Sequence, residues 1–166
     1  MSKGATLFNA HHSPVGAFAT FTLGYPGPKG GFGLEAAGPP DENIFIGAER
    51  RDGRSYEALP FFASSADAAR RYDVARDTEQ NPGKVRPFPS TRVHREFSLG
   101  SDTWHAGDLT FSLYSAPKRV PDPASASRAA LRRALVPAVS AELTLDNRRG
   151  QHARKVFFGY EGSNPF

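Results

Sequence analysis

Val-Ser-Ala-Glu-Leu-Thr-Leu-Asp-Asn-Arg-Arg-Gly-Gln-His-Ala-Arg-Lys-Val-Phe-Phe-Gly-Tyr, residues 139–160, is the stretch that decides the fold. Val139, Ala141, Leu143 and Leu145 alternate with Ser140, Glu142, Thr144 and Asp146, the period-two pattern of a strand with one buried face. Asn147-Arg148-Arg149-Gly150 supplies turn residues and 153–160 returns as a partner strand, so the stretch predicts a β-hairpin. Immediately upstream the pattern recurs. Leu109, Phe111 and Leu113 alternate with Thr110, Ser112 and Tyr114 over 108–115, while Val93, Phe97 and Leu99 mark a buried face over 92–99. Trp104-His105-Ala106-Gly107-Asp108 reads as the tight connection between them, closed by Gly107, which predicts a second hairpin.

Between the hairpins, Pro121-Asp122-Pro123 stops the chain and 124–135 predicts a short helix. Ser125 or Ser127 can cap it, Leu131 and Leu135 share a face, and Pro137 ends it. Earlier in the chain, 5–9, 15–23, 43–47 and 55–62 read as strands, with Pro60 forcing the last to an edge or an early stop. Gly24-Tyr25-Pro26-Gly27-Pro28 breaks the second of these. The polar stretch 63–90 reads as a long connection with at most one helical turn near 67–72. The whole predicts a mostly β chain, an antiparallel β-sandwich over 1–166 with one short helix. Because the sequence closes directly after a strand, the sandwich is expected to be truncated, with an unpaired edge through which a homodimer could form.

Composition supports one packed domain: 166 residues, 39% hydrophobic, with 16 Gly and 14 Pro to make many turns. Cysteine is absent, which excludes disulfides and thiolate metal sites. No run approaches the roughly 18 apolar residues of a membrane span. The start, Met1-Ser2-Lys3-Gly4-Ala5, does not read as a signal peptide, so the expected location is the cytoplasm. A net charge of +4 raises the question of nucleic acid. The basic residues, however, come as scattered pairs (Arg50-Arg51, Arg70-Arg71, Arg132-Arg133, Arg148-Arg149) interrupted by acids, which reads as a solvated surface and predicts no nucleic-acid partner.

Motifs for chemistry are few. Ser13 lacks the glycines of a nucleophile elbow, and Lys29 in the Gly24–Gly33 region is not followed by Ser or Thr, so no phosphate loop is expected. His11-His12 is the most unusual local feature. Adjacent strand residues point to opposite faces, and no other ligand type stands at metal spacing, so no metal or cofactor is predicted there. One imidazole can instead bond backbone in the turn before Pro14 while the other reaches a ligand or an interface; a purely structural pair accounts for the sequence equally well. Glycoside hydrolysis needs two carboxyls about 5–9 Å apart. Glu35, Asp41, Glu42, Glu49, Glu57, Asp102, Asp108 and Glu161 are available, but nothing in the sequence pairs them, and no catalytic residue is assigned. Trp104, Tyr25, Tyr72 and Tyr160 could stack on sugar rings or pack in the core.

A resemblance extends along nearly the whole chain. Asn9-Ala10-His11-His12-Ser13-Pro14-Val15-Gly16-Ala17-Phe18 and Phe21-Thr22-Leu23-Gly24 are similar to the N-terminus of the glycoside hydrolase family 52 β-xylosidases. Phe45-Ile46-Gly47, Leu59-Pro60-Phe61-Phe62, Arg71-Tyr72-Asp73, Arg95-Glu96-Phe97, Asp102-Thr103-Trp104 and Ala106-Gly107-Asp108-Leu109-Thr110 continue in order. Val120-Pro121-Asp122-Pro123, Ala134-Leu135-Val136-Pro137-Ala138-Val139, Asp146-Asn147 and Phe157-Phe158-Gly159-Tyr160-Glu161-Gly162 complete it. The resemblance implies the N-terminal part of a retaining β-xylosidase that releases xylose from the non-reducing ends of β-1,4-xylo-oligosaccharides. It also implies a catalytic (α/α)6 barrel that is absent from this chain, so the chain alone is not expected to catalyse. Asn9, His11, His12 and Trp104 are then the expected substrate-binding or domain-interface residues. The alternative is a free-standing carbohydrate-binding module for xylo-oligosaccharides, which an exposed Trp104 would favour.

Overall fold

The computed structural model describes residues 8–12, 19–25, 30–34, 42–62, 85–115, 119–136 and 139–161. In chain order the strands are β1 (Phe8–His12), β2 (Ala19–Tyr25), β3 (Gly31–Leu34), β4 (Asn43–Glu49), β5 (Tyr56–Ala58) and β6 (Val85–Pro87), then β7 (Val93–Ser98), β8 (Ser101–Ala106) and β9 (Leu109–Tyr114). Helix α1 (Arg128–Ala134) precedes β10 (Ser140–Leu145) and β11 (Val156–Glu161). One four-stranded sheet runs β10-β9-β8-β7, antiparallel throughout. A second runs β11-β4-β5-β6, with only the β5–β6 pair parallel. A three-stranded ladder β1-β2-β3 is tied to the start of β4 by a two-way backbone pair between Gly30 and Glu42.

Register explains the layering of the first sheet. Val93, Ala106, Leu109 and Leu145 align across the strands, as do Arg95, Trp104, Phe111 and Leu143, and these rows form the inner face. The outer rows are polar and bond sideways: Ser98 to Ser101 at 2.7 Å, Thr103 to Ser112 at 3.0 Å, and Tyr114 Oη to Glu142 at 2.9 Å. On the opposing sheet, Ile44, Ile46 and Ala48 are buried, joined by Leu59 and Phe61 after β5. Phe61 meets Trp104 edge-on, ring centroids 5.7 Å apart, and Trp104 lies 6.3 Å from Phe111. The predicted mostly β sandwich is therefore the architecture, with one α-helix among the described residues. No helix among them is long and apolar enough to cross a membrane.

The pairings differ from the expectation in two places. Residues 101–106 form β8, so 92–99 and 108–115 do not pair with each other; each pairs with the strand between them. Two tight turns make this possible, with Gly100 at φ 91° and Gly107 at φ 65°, where a side chain is strained. Strands β10 and β11 also form as expected, and Gly150 N–H closes a turn on the Asn147 carbonyl at 2.9 Å. They do not make a hairpin. β10 joins β9 and β11 joins β4, so the connection crosses from one sheet to the other. Alternation marks a strand with one buried face; it does not choose its neighbour.

Elsewhere the limits are smaller. Helix α1 is shorter than 124–135: Ser127 is its cap, accepting from Ala130 N–H at 3.2 Å, and Asp122 holds the preceding turn through Ala124 N–H. Pro60 follows a strand that ends at Ala58, as its chemistry requires. The strand expected over 5–9 is found at Phe8–His12, and that expected over 15–23 at Ala19–Tyr25, within the described residues. The predicted turn near 67–72 lies outside the described residues. β6, inside the stretch read as a connection, was not expected.

One side of the interior is open. Val156, Phe158 and Tyr160 lie opposite Ala48, Ile46 and Ile44 on the inner face, yet Phe158 is 47% exposed. With Phe21, Phe111, Leu113, Val139, Ala141 and Leu143 it lines an apolar groove between edge strands β10 and β11.

Inside the first sheet sits a charge. Asp102 is 0% exposed and is gripped by Arg95 through Nε at 2.7 Å and Nη2 at 2.6 Å, while the guanidinium carbon lies 4.9 Å from the Trp104 ring. Replacing Arg95 by Met takes the guanidinium from a buried carboxylate and is expected to cost about 3–5 kcal/mol. Arg95→Met with Asp102→Leu is expected to cost clearly less than Arg95→Met alone. Urea unfolding of the variants tests this; additive losses would show that the pair is not coupled.

Candidate functional site

The strand ends at one pole of the sandwich build a polar groove of about 1140 Å³. The end of β4 and the following turn bring Arg50, Arg51 and Asp52; the residue before β7 brings Arg92. The β8–β9 turn contributes Gly107 and Asp108, and the crossing from β10 to β11 contributes Asp146, Arg148, Arg149 and Arg154. Six arginines and four carboxylates, Glu57 included, therefore share one cleft.

Asp108 is its centre. Arg154, whose side chain is only 5% exposed, pairs with Asp108 Oδ2 through Nη1, and its Nε donates to the Glu49 carbonyl at 2.7 Å. Arg51 Nε reaches the same carboxylate oxygen at 3.2 Å. Arg154 thus fastens the end of β4 to the β8–β9 turn, one sheet to the other. Burial pushes the Asp108 carboxyl up, but the hydrogen bonds and charge of Arg154, with Arg51, outweigh it and hold the group below its ordinary range. Asp146 is held far below that range by bonds from Arg148, at 2.9 Å to Nε and 2.6 Å to Nη2. Asp52 is held low chiefly by the Arg54 backbone N–H at 2.9 Å.

Carboxylates held this way stay ionised and do not donate protons near neutral pH. The groove is lined by fixed charges, and these three carboxylates are not set up as an acid–base pair. Among the described residues no three His, Asp or Glu side chains gather as a metal site. His94 and His105 stack on the outer face, centroids 6.5 Å apart, with Glu96 3.7 Å and 3.8 Å from their Nε2 atoms.

The residues singled out from the sequence do not come together here. Asn9, His11 and His12 lie on β1, in register with Gly24, Thr22 and Phe21 of β2, so this part of the segment is strand where a turn was expected. Trp104 is wholly buried between the sheets, and its ring packs in the core with no face open to a sugar. Tyr160 is exposed; Tyr72, Glu35 and Asp41 lie outside the described residues. The arginine groove was missed. Its signal was present in Arg50-Arg51 and Arg148-Arg149, two of the basic pairs read as scattered, each placed just beyond a strand end.

Comparison with known proteins bears on the chain as a whole. The model of the family described as Glycosyl hydrolase family 52 matches residues 21–166. Two proteins of Geobacillus stearothermophilus, each named beta-xylosidase, are 49% identical over 164 residues and 44% identical over 169 residues. Each alignment takes in 96% of this chain but 23% and 27% of the relative. The chain spans about a quarter of the length of the curated relatives it matches.

Because Asp108 titrates below its ordinary 3.8 in the folded state, its pairing stabilises the fold fully above that value. That stabilisation is lost as pH falls through the depressed value. Asp108→Asn is expected to lower the melting temperature at pH 7, with the gap to the parent narrowing below about pH 4. A gap that stays constant from pH 7 to pH 2.5 would show that the carboxylate's charge does not contribute.

Proposed function

Because this chain belongs to glycosyl hydrolase family 52, we propose that it is the N-terminal sandwich of a β-xylosidase whose catalytic groups lie elsewhere in a longer polypeptide. The reaction is the release of xylose from the non-reducing ends of β-1,4-xylo-oligosaccharides with retention, and the catalytic part is an (α/α)6 barrel. The observation that carries the reading is near-half identity, over almost the whole chain, to proteins named beta-xylosidase that are about four times as long. The chemistry of this part is in keeping with it. Retention needs two carboxyls roughly 5–5.5 Å apart, one of them protonated to serve as acid. Asp52, Asp108 and Asp146 are instead kept ionised by hydrogen bonds and arginine charge.

In this reading the sandwich is a rigid wall beside the catalytic cleft, and the segment from Asn9 to Val15 faces the catalytic part. The free-standing sugar-binding module is the weaker reading, since the buried Trp104 offers no stacking face. The test is hydrolysis of an aryl β-xyloside and of xylobiose by the full polypeptide and by the 166-residue chain. Activity is expected in the full polypeptide alone, with the β-anomer of xylose appearing first by NMR. No xylosidase activity in the full polypeptide, or the α-anomer first, would overturn the reading. Substituting His12 by Ala in the full polypeptide is expected to raise KM or lower kcat; unchanged kinetics with a lower melting temperature would assign the histidine a structural role.

A further inference from the structure

We propose that the arginine groove binds an acidic oligosaccharide through a single carboxylate, held by Arg92 and Arg149. Most guanidinium groups in the groove are already engaged. Arg154 and Arg51 are spent on Asp108 and Arg148 on Asp146, while Arg50 lies 3.9 Å from both Asp52 and Glu57. The guanidinium groups of Arg92 and Arg149 line the same space without a side-chain hydrogen bond or salt bridge among the described residues, and Arg149 acts on Asp146 through its charge alone. A guanidinium presents a planar fork of donors that fits a carboxylate with two parallel bonds.

The rest of the lining narrows the ligand. At about 1140 Å³ the groove is far larger than one oxyanion needs and has the dimensions of a site for a ligand of several rings. Six arginines against four carboxylates leave an excess of two positive charges. A polyanion such as nucleic acid would meet four like charges there. A hydroxyl-rich ligand with one negative charge meets both needs: its carboxylate goes to the Arg92 and Arg149 guanidiniums, and its hydroxyls donate to Asp52 and Glu57. A xylo-oligosaccharide bearing a uronic-acid branch has this chemistry, and the choice of sugar rests on the xylosidase reading above. The carboxylates Asp52, Asp108 and Asp146 are held ionised, so these three keep their charge through mildly acidic solution.

The test is calorimetric titration of the full polypeptide with a xylo-oligosaccharide carrying one glucuronic-acid branch, and with the unbranched neutral oligosaccharide of equal length. The acidic sugar is expected to bind more tightly. Arg92→Gln with Arg149→Gln is expected to reduce the acidic-to-neutral affinity ratio by about tenfold or more. Added salt should reduce the same ratio in the parent and leave it nearly flat in the variant. A ratio unchanged by the double substitution overturns the proposal, as does inorganic phosphate binding in the groove where the acidic sugar does not. Aryl β-xyloside hydrolysis by the parent, measured alongside, reports on the xylosidase reading by itself, so the two can fail separately.

Discussion

Trp104 is where the two sheets meet, and most of the interior is arranged around its burial. Its edge-on contact with Phe61 crosses between the layers, and Phe111 extends the aromatic contact along its own sheet. Burying a side chain of this size contributes several kcal/mol through area alone, more than any single surface ion pair in the molecule. The indole N–H has no hydrogen-bond partner among the described residues, so packing is what the residue supplies. Arg95 then closes the side of the ring, and Asp102 fixes Arg95, so a partly buried charge pair covers an aromatic core. The pair is costly to desolvate, and breaking it leaves a cost that an apolar pair of equal size would not.

That arrangement also explains where reading the sequence succeeded and where it stopped. The alternation over 109–114 and 140–145 told which residues face inward, and the inner rows Phe111–Leu143 and Leu109–Leu145 agree with it. Strand β8 escaped because its inner face reads Asp102, Trp104, Ala106, and an aspartate at an inward position looks like turn chemistry. Its partner Arg95, seven residues upstream, helps make that position compatible with burial, and no local window shows it. The pairing of β10 with β9 and β11 with β4 is hidden for a related reason. A connection through Asn147 and Gly150 has the composition of a hairpin turn, while the choice of sheet is set by contacts distant in the chain.

The groove was legible in its parts and not in its assembly. Each arginine pair stands beside a strand end, which says surface; it does not say which strand ends share a pole. Arg51, Asp108, Arg148 and Arg154 converge only after β4, β9, β10 and β11 are placed. Trp104 shows the opposite case. Sequence alone allows a lone tryptophan either a core or a sugar-facing role, and its place in the Arg95-Trp104-Phe111-Leu143 row decides for the core.

The two accessible features of this sandwich differ in the physics that would satisfy them. At the pole, charges are matched almost to balance, so only a ligand with both a negative group and many donors gains there. Along the β10–β11 side, Phe158, Val156 and Tyr160 keep inner-face positions while remaining half in water, and the edges of both sheets are unpaired among the described strands. Water already satisfies the pole's charges well, whereas it leaves the apolar side with area still to be buried, at roughly 25 cal/mol per Å². The pole therefore has charge to offer a small ligand, while the side has apolar area left to bury. The charged pole and the apolar side lie on separate faces of the same fold.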